Sequence, residues 1–117
     1  MTAKDMPDPF DLPKALARFC GDTELLEEAI AIFKSEAPNL LDLMKKHLSK
    51  GEIEKVVGYA HTLKAECGAV GAVLAYSVCA ALEKAAGNND IAESEALSKK
   101  AEAVVRAAVA ELPDTIV

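Results

Sequence analysis

Long stretches of the chain place apolar residues three or four positions apart, and this spacing constrains the fold more than any other feature. The periodicity is typical of amphipathic helices, and no stretch shows the sustained alternation of β-branched and polar residues that a half-buried strand needs. Aromatic residues make up only 4% of the sequence and tryptophan is absent. The core must therefore be built from small and aliphatic side chains, and we expect an all-α fold.

Capping residues and glycines predict the first two helices. Asp11 can cap a short first helix that Gly21 stops, and a long second helix begins at Asp22 or Thr23 and continues to Gly51. Its apolar positions are Leu26, Ile30, Phe33, Ala37, Leu40, Met44 and Leu48.

The remaining helices are bounded by glycines and prolines. The third helix is expected over residues 52–70 and the fourth over residues 71–86, and the fifth begins at Asp90 and ends at Leu112. Its apolar positions are Ile91, Leu97, Ala101, Val104, Val105, Ala108 and Leu112. Pro38 lies inside the second helix, where we expect a bend rather than two separate helices.

Short turns between long amphipathic helices favour antiparallel neighbours. We therefore expect an antiparallel up-and-down four-helix bundle with a short additional N-terminal helix. Residues 1–10, with Pro7 and Pro9, are interpreted as an irregular lead-in, and residues 11–117 as a single domain, since a chain of 117 residues suits one core. Because the apolar stripes can bury one another within one bundle, the chain is expected to be a monomer.

The charge of the chain argues against several kinds of partner. A net charge of -6 disfavours nucleic acid and anionic lipid, because binding to phosphates requires clustered cations. The one basic run, from Lys45 to Lys50, lies at the end of the second helix, where cations complement the helix dipole. No signal peptide or membrane-spanning segment is recognisable, so we expect a cytoplasmic protein that binds no membrane. The cysteines are expected to be free thiols, since Cys67 and Cys79 fall on apolar stripes.

The third helix carries a histidine on its polar side. Its apolar residues are Ile53, Val56, Ala60, Leu63, Cys67 and Val70. At about 100° per residue, this stripe is centred roughly 130° from His61, so the imidazole should face outward. A buried structural histidine is therefore disfavoured.

The residues one and two turns from His61 on the same face are mostly small: Val57, Gly58, Lys64, Ala65 and Gly68. Glycine inside a helix costs up to about 1 kcal/mol relative to alanine, so Gly58 and Gly68 need a reason beyond helix stability. One explanation is that another protein must come close to the imidazole. The other is that the glycines admit a neighbouring helix or that the helix ends at Gly68, and the residues alone favour neither.

Lys64 lies one turn beyond His61. At a separation of about 4 Å, an ammonium group would stabilise an anionic group on the imidazole by roughly 1 kcal/mol in full solvent and up to about 4 kcal/mol in a partly screened interface. A lysine on a helix surface is more often simply a solvated charge.

The run from His61 to Gly71, continued by Leu74, Cys79 and Leu82-Glu83, resembles the signature of the bacterial histidine phosphotransfer (HPt) family. That signature is Ala-His-x-Leu-Lys-Gly, then Gly-Ala, a leucine and Cys-x-x-Leu-Glu. The similarity extends from about Phe10 to Asn89. The family usually has glycine where Ala65 stands and a small residue where Glu66 stands.

The resemblance implies a four-helix bundle whose exposed histidine takes a phosphoryl group from an aspartate of a response-regulator receiver domain and passes it to another. His61 would be the phosphoacceptor and Lys64 the neighbouring cation, with Val57, Gly58, Ala65 and Gly68 forming the partner-docking surface. The implied partners are receiver domains and a hybrid sensor histidine kinase.

The expected chemistry is in-line transfer from an aspartyl phosphate to the outward Nε2 of a neutral imidazole. The receiver would supply Mg²⁺, so the chain itself needs no cofactor and no metal. Since the sequence has no Gly-rich phosphate loop, we expect a phosphoryl carrier that is not an enzyme and does not phosphorylate itself from ATP.

Two other functions compete with this interpretation. The first is a non-catalytic helical adaptor in which His61 has no role. The second is a metal or redox protein using His61, His47 and the cysteines, which is disfavoured because Cys67 lies on the core side and His47 on another helix. His47 is expected to be a surface residue that helps to finish the second helix.

Overall fold

Residues 8–116, as a computed structural model describes them, contain five α-helices and no strand. The helices are α1 (Leu12–Arg18), α2 (Thr23–Ser49), α3 (Ile53–Ala69), α4 (Val73–Gly87) and α5 (Ile91–Glu111). The all-α prediction is confirmed. Within residues 8–116, no helix has both the length and the apolar character needed to cross a bilayer. The predicted lead-in falls mostly on residues 1–7, which lie outside the described part of the chain.

Three of the helices, α1, α2 and α5, begin at the aspartate caps that the sequence predicts. The Asp11 carboxylate accepts a hydrogen bond from the Lys14 amide at 3.0 Å and thereby satisfies one of the free donors at the start of α1. Asp22 and Asp90 cap α2 and α5 in the same way, at 3.2 and 3.1 Å. α2 continues through Pro38, so the prediction of one helix rather than two is confirmed, and the bend at Pro38 stays a prediction.

The four long helices contact one another in a ring. α2 packs against α3 and α5, and α4 also packs against α3 and α5, while α1 lies on α2 and α3. The largest fully buried side chains in the ring are Leu26, Ile30, Phe33, Leu41, Met44, Val56, Leu63, Val70, Leu82, Val105 and Leu112. The core is thus mainly aliphatic, as the composition required.

The inner faces of α2 and α5 differ slightly from the predicted stripes. Leu41 is fully buried, whereas Leu40 is only partly buried. On α5, Ile91 is exposed, while the buried face begins at Ser94 and Ser98. A search for apolar positions does not identify serine as a core residue. The small serine side chain nevertheless fits inside, because it lets α5 lie close to its neighbours.

The two cysteines expected on apolar helical stripes lie in the core as free thiols. Cys67 on α3 and Cys79 on α4 are fully buried, and both are free, as is the exposed Cys20. The neighbouring Cys79 thiol, together with burial, raises the pKa of the Cys67 thiol. The prediction of free thiols at these positions is confirmed.

The turn between α3 and α4 anchors α1. Gly71 has φ +74°, which is the left-handed region that favours glycine. Because this conformation is not helical, α4 begins at Val73, two residues after the predicted start at Gly71. The Asp11 amide donates to the Gly71 carbonyl oxygen at 2.8 Å. A Cβ at position 71 would lie 2.6 Å from the Asp11 carbonyl oxygen, so this close approach also requires glycine.

Candidate functional site

His61 lies on the outer side of α3. Its side chain is 63% exposed, whereas the opposite side of the helix is buried through Val56, Ala60 and Leu63. The predicted outward orientation is confirmed, and the imidazole is accessible to another molecule.

Glu83 on α4 binds His61 from the side. Its Oε2 lies 2.8 Å from the His61 Nδ1. A hydrogen bond from Lys64 and a second one from His61 lower the pKa of the Glu83 carboxyl, although its partial burial opposes them. An ionised carboxylate can only accept, so Nδ1 must carry the proton in this contact. The lone pair of the neutral ring is then on Nε2.

Lys64 contacts the other oxygen of the same carboxylate. Its Nζ lies 2.6 Å from the Glu83 Oε1, and this hydrogen bond raises the pKa of the Lys64 ammonium. The cation that the sequence predicts one turn beyond His61 is thus charged and held in place. Glu83 joins His61 and Lys64 in one hydrogen-bonded group.

Two of the four predicted docking residues lie open to solvent. Gly58 and Ala65 are exposed, and a Cβ at Gly58 would meet no atom within 4 Å. Gly58 therefore admits no neighbouring helix, so the packing explanation is wrong at this position. Val57 is partly buried and packs against the core, which makes it less accessible than predicted.

Gly68 has a packing role within the chain. A Cβ there would lie 3.3 Å from the Tyr76 ring and 3.7 Å from the guanidinium of Arg18, which also donates a hydrogen bond to the Gly68 carbonyl oxygen. Of the two explanations for the glycines, close packing against neighbouring helices is therefore the one that holds at Gly68. α3 does not end there but at Ala69.

His47 is not part of this group. Its Nδ1 lies 3.1 Å from the Glu52 Oε1, and its ring stacks on Tyr59 with the ring centroids 5.5 Å apart. With a side chain only 13% exposed, it is not the surface residue that the sequence predicts, because the start of α3 covers it. Nowhere in residues 8–116 do three or more potential ligands among His, Cys, Asp and Glu side chains come together to hold a metal ion.

Sequence reasoning did not assign Glu83, Tyr76 or Arg18 to the site. Glu83 had a signal, since it ends the Cys-x-x-Leu-Glu motif in this chain. Tyr76 and Arg18 had none, because they reach the His61 helix only through the packing of α1 and α4 against α3.

Comparison with known proteins agrees with this geometry. The family model described as "Hpt domain" matches residues 28–115, which is most of the chain and includes His61, Lys64 and Glu83. Neither a search of curated proteins nor a search of solved structures found a match. The chain belongs to the Hpt domain family, whose members are phosphocarrier modules of two-component phosphorelays.

Proposed function

We propose that His61 accepts a phosphoryl group on Nε2 from an aspartyl phosphate of a receiver domain and passes it to an aspartate of another. The observation that carries this proposal is the exposed imidazole whose Nδ1 is bound by Glu83, which leaves the Nε2 lone pair free at the surface. An exposed nucleophilic nitrogen is what an incoming phosphoryl donor requires.

Glu83 is a positioning residue in this reaction. When Nε2 attacks phosphorus, the N–P bond forms, the P–O bond to the aspartate breaks, and the aspartate leaves as a carboxylate. The ring keeps its Nδ1 proton and gains positive charge. The Glu83 carboxylate, 2.8 Å from Nδ1, stabilises that charge and holds the ring orientation, much as a carboxylate supports histidine in hydrolytic triads.

Lys64 balances charge at the site. A phosphoryl group on His61 brings up to two negative charges close to the Glu83 carboxylate. The ammonium of Lys64, 2.6 Å from the Glu83 Oε1, compensates part of this repulsion and is within one helical turn of the phosphorylated ring. The remaining charge stabilisation, including Mg²⁺, comes from the receiver, and the chain supplies no cofactor or metal of its own.

The receiver docks on the α3 surface beside His61. Gly58 and Ala65 are exposed there, and Gly58 lacks any packing partner that would explain a glycine inside a helix. Val57 and Gly68 border this surface and shape it through the packing below it. We further propose that the four long helices run antiparallel in sequence order and that the chain works as a monomer.

Phosphotransfer from purified receiver domains tests the proposal. The receivers of the source organism, phosphorylated beforehand, are incubated with the wild-type chain and with His61→Gln and His47→Gln variants. We expect acid-labile label on the wild type and on the His47 variant, and none on the His61 variant. ATP alone should label none of them.

Label on the His61 variant would show that the assigned residue is wrong. Failure of every receiver to label a folded wild-type chain would contradict the phosphotransfer function and favour a non-catalytic adaptor.

A further inference from the structure

An open cavity of about 260 Å³ lies between α1, the end of α3 and the start of α4. Its lining includes Lys14 and Arg18 of α1, Gly68 of α3, Tyr76 of α4 and the α1 capping residue Asp11. None of these side chains takes part in the contacts around His61 itself. The cavity is therefore a separate feature of the surface.

The cavity adjoins the His61 face. Gly68 comes seven positions after His61, which is about two helical turns or roughly 10 Å along the same side of α3. The Tyr76 ring packs on Gly68. The outer face of α3 thus leads from the imidazole to Gly68, where Tyr76 of α4 and Arg18 of α1 lie against the helix.

Two cations line this surface. Arg18 is held by its hydrogen bond to the Gly68 carbonyl oxygen, which fixes the guanidinium at the rim of the cavity. The Lys14 ammonium has no ion-pair partner among residues 8–116. Asp11 also lines the cavity, so its two cations and one carboxylate give a local net charge of +1, whereas the whole chain has a net charge of -6.

We propose that Lys14 and Arg18 form a cationic docking surface for the acidic rim of the receiver's phosphorylation site, an inference that rests on the proposed function. A site that binds Mg²⁺ and an aspartyl phosphate is surrounded by carboxylates. When that site meets Nε2, its rim passes over α3, and the Arg18 guanidinium, bound at Gly68 about 10 Å along the helix from His61, lies close to the screening length at physiological salt. Lys14 and Arg18 attract and orient the acidic partner, while the negative charge of the rest of the chain disfavours other orientations.

Single-turnover transfer from a phosphorylated receiver that labels the wild type tests this surface. The variants are Lys14→Glu, Lys14→Arg and Arg18→Gln, with Lys100→Glu on the distant and exposed part of α5 as the matched charge control. Two quantities are measured at low and at high salt: the receiver concentration that gives half-maximal transfer and the maximal rate constant.

We expect Lys14→Glu to raise the half-saturating concentration about three- to tenfold at low salt, with the maximal rate constant changed by less than about twofold. The difference should shrink at high salt. Lys14→Arg should behave as wild type, Arg18→Gln should resemble Lys14→Glu in direction, and Lys100→Glu should have a smaller effect.

An unchanged half-saturating concentration in Lys14→Glu, or an equal increase in Lys100→Glu, would overturn the docking surface while leaving phosphotransfer to His61 intact. A fall in the maximal rate constant alone would also overturn it, because docking charges act on binding. Failure to find any receiver that labels the wild type would instead contradict the proposed function. The helical circular dichroism signal of each variant confirms that it is folded.

Discussion

At the scale of single residues, the site depends on the Glu83 carboxylate, which binds both the nucleophilic imidazole of His61 and the ammonium group of Lys64. Glu83 reaches His61 with one oxygen and Lys64 with the other, at 2.8 and 2.6 Å. The first contact sets which imidazole nitrogen carries the proton, and the second keeps a compensating cation beside the ring. Removing Glu83 should therefore disturb the reaction without disturbing the core.

Substitution of Glu83 by Ala should slow phosphotransfer on the order of tenfold, because His61 loses the group that orients it. Glu83→Gln should be less affected, since its amide oxygen can still accept from Nδ1–H. The ¹⁵N chemical shifts of the His61 ring provide a second readout, and the Nδ1–H tautomer should lose population in the Ala variant. An unchanged tautomer and an unchanged rate in Glu83→Ala would show that Glu83 does not position His61.

Another carboxylate, that of Glu66 on α3, makes stability depend on pH. Burial and the neighbouring Glu36 of α2 raise the pKa of Glu66 from 4.5 to about 7. The folded protein therefore holds a proton on Glu66 that the unfolded chain releases between pH 4.5 and 7. The contribution of this group to stability is fully present below pH 4.5 and is lost as the pH rises through 7.

Glu66→Gln should remove this loss, because glutamine stays uncharged beside Glu36. The free energy of unfolding of the variant minus that of the wild type should therefore be larger at pH 8 than at pH 4. With solvent screening taken into account, we expect this increase to be on the order of 1 kcal/mol. Urea denaturation of both proteins at the two pH values measures the difference. The same free-energy difference between the proteins at both pH values would contradict the raised pKa.

At the scale of the elements, the glycines of α3 and of the turn that follows it have opposite roles. Gly58 is helical and faces open space, whereas Gly71 has φ +74° and lies against the Asp11 backbone. No structural requirement explains glycine at position 58. At position 71, both the positive φ and the close Asp11 backbone require glycine.

These two positions form a matched pair for substitution by alanine. Gly58→Ala should stabilise the protein by roughly 0.5–1 kcal/mol, because alanine is the better helix former. Gly71→Ala should destabilise it by about 2 kcal/mol or more, through the unfavourable φ and the clash with the Asp11 carbonyl oxygen. Chemical denaturation checks both. A destabilising Gly58→Ala would show that Gly58 has a packing role, contrary to the docking assignment.

At the scale of the whole molecule, the apolar periodicity of the sequence predicts the helices well but does not predict the contacts between them. The inner face of α3 and the outward His61 follow from helical phase, which is a local property. The pairing of Glu83 with His61 and Lys64 depends on how α4 lies against α3, and the Arg18 contact depends on the docking of α1. Ser94 and Ser98 were missed because their small size, not their hydrophobicity, places them inside.

The proposed function of the whole molecule depends on one atom, the Nε2 of His61, to which the phosphoryl group is transferred and from which it leaves. The most direct test is NMR of the ¹⁵N-labelled protein after phosphorylation by a receiver, in which ³¹P and ¹⁵N shifts and couplings identify the phosphorylated nitrogen. We predict a phosphoryl group on Nε2 of His61, with Nδ1 still protonated and bound to Glu83. A phosphoryl group on Nδ1 of His61, on His47 or on any other residue would contradict the account.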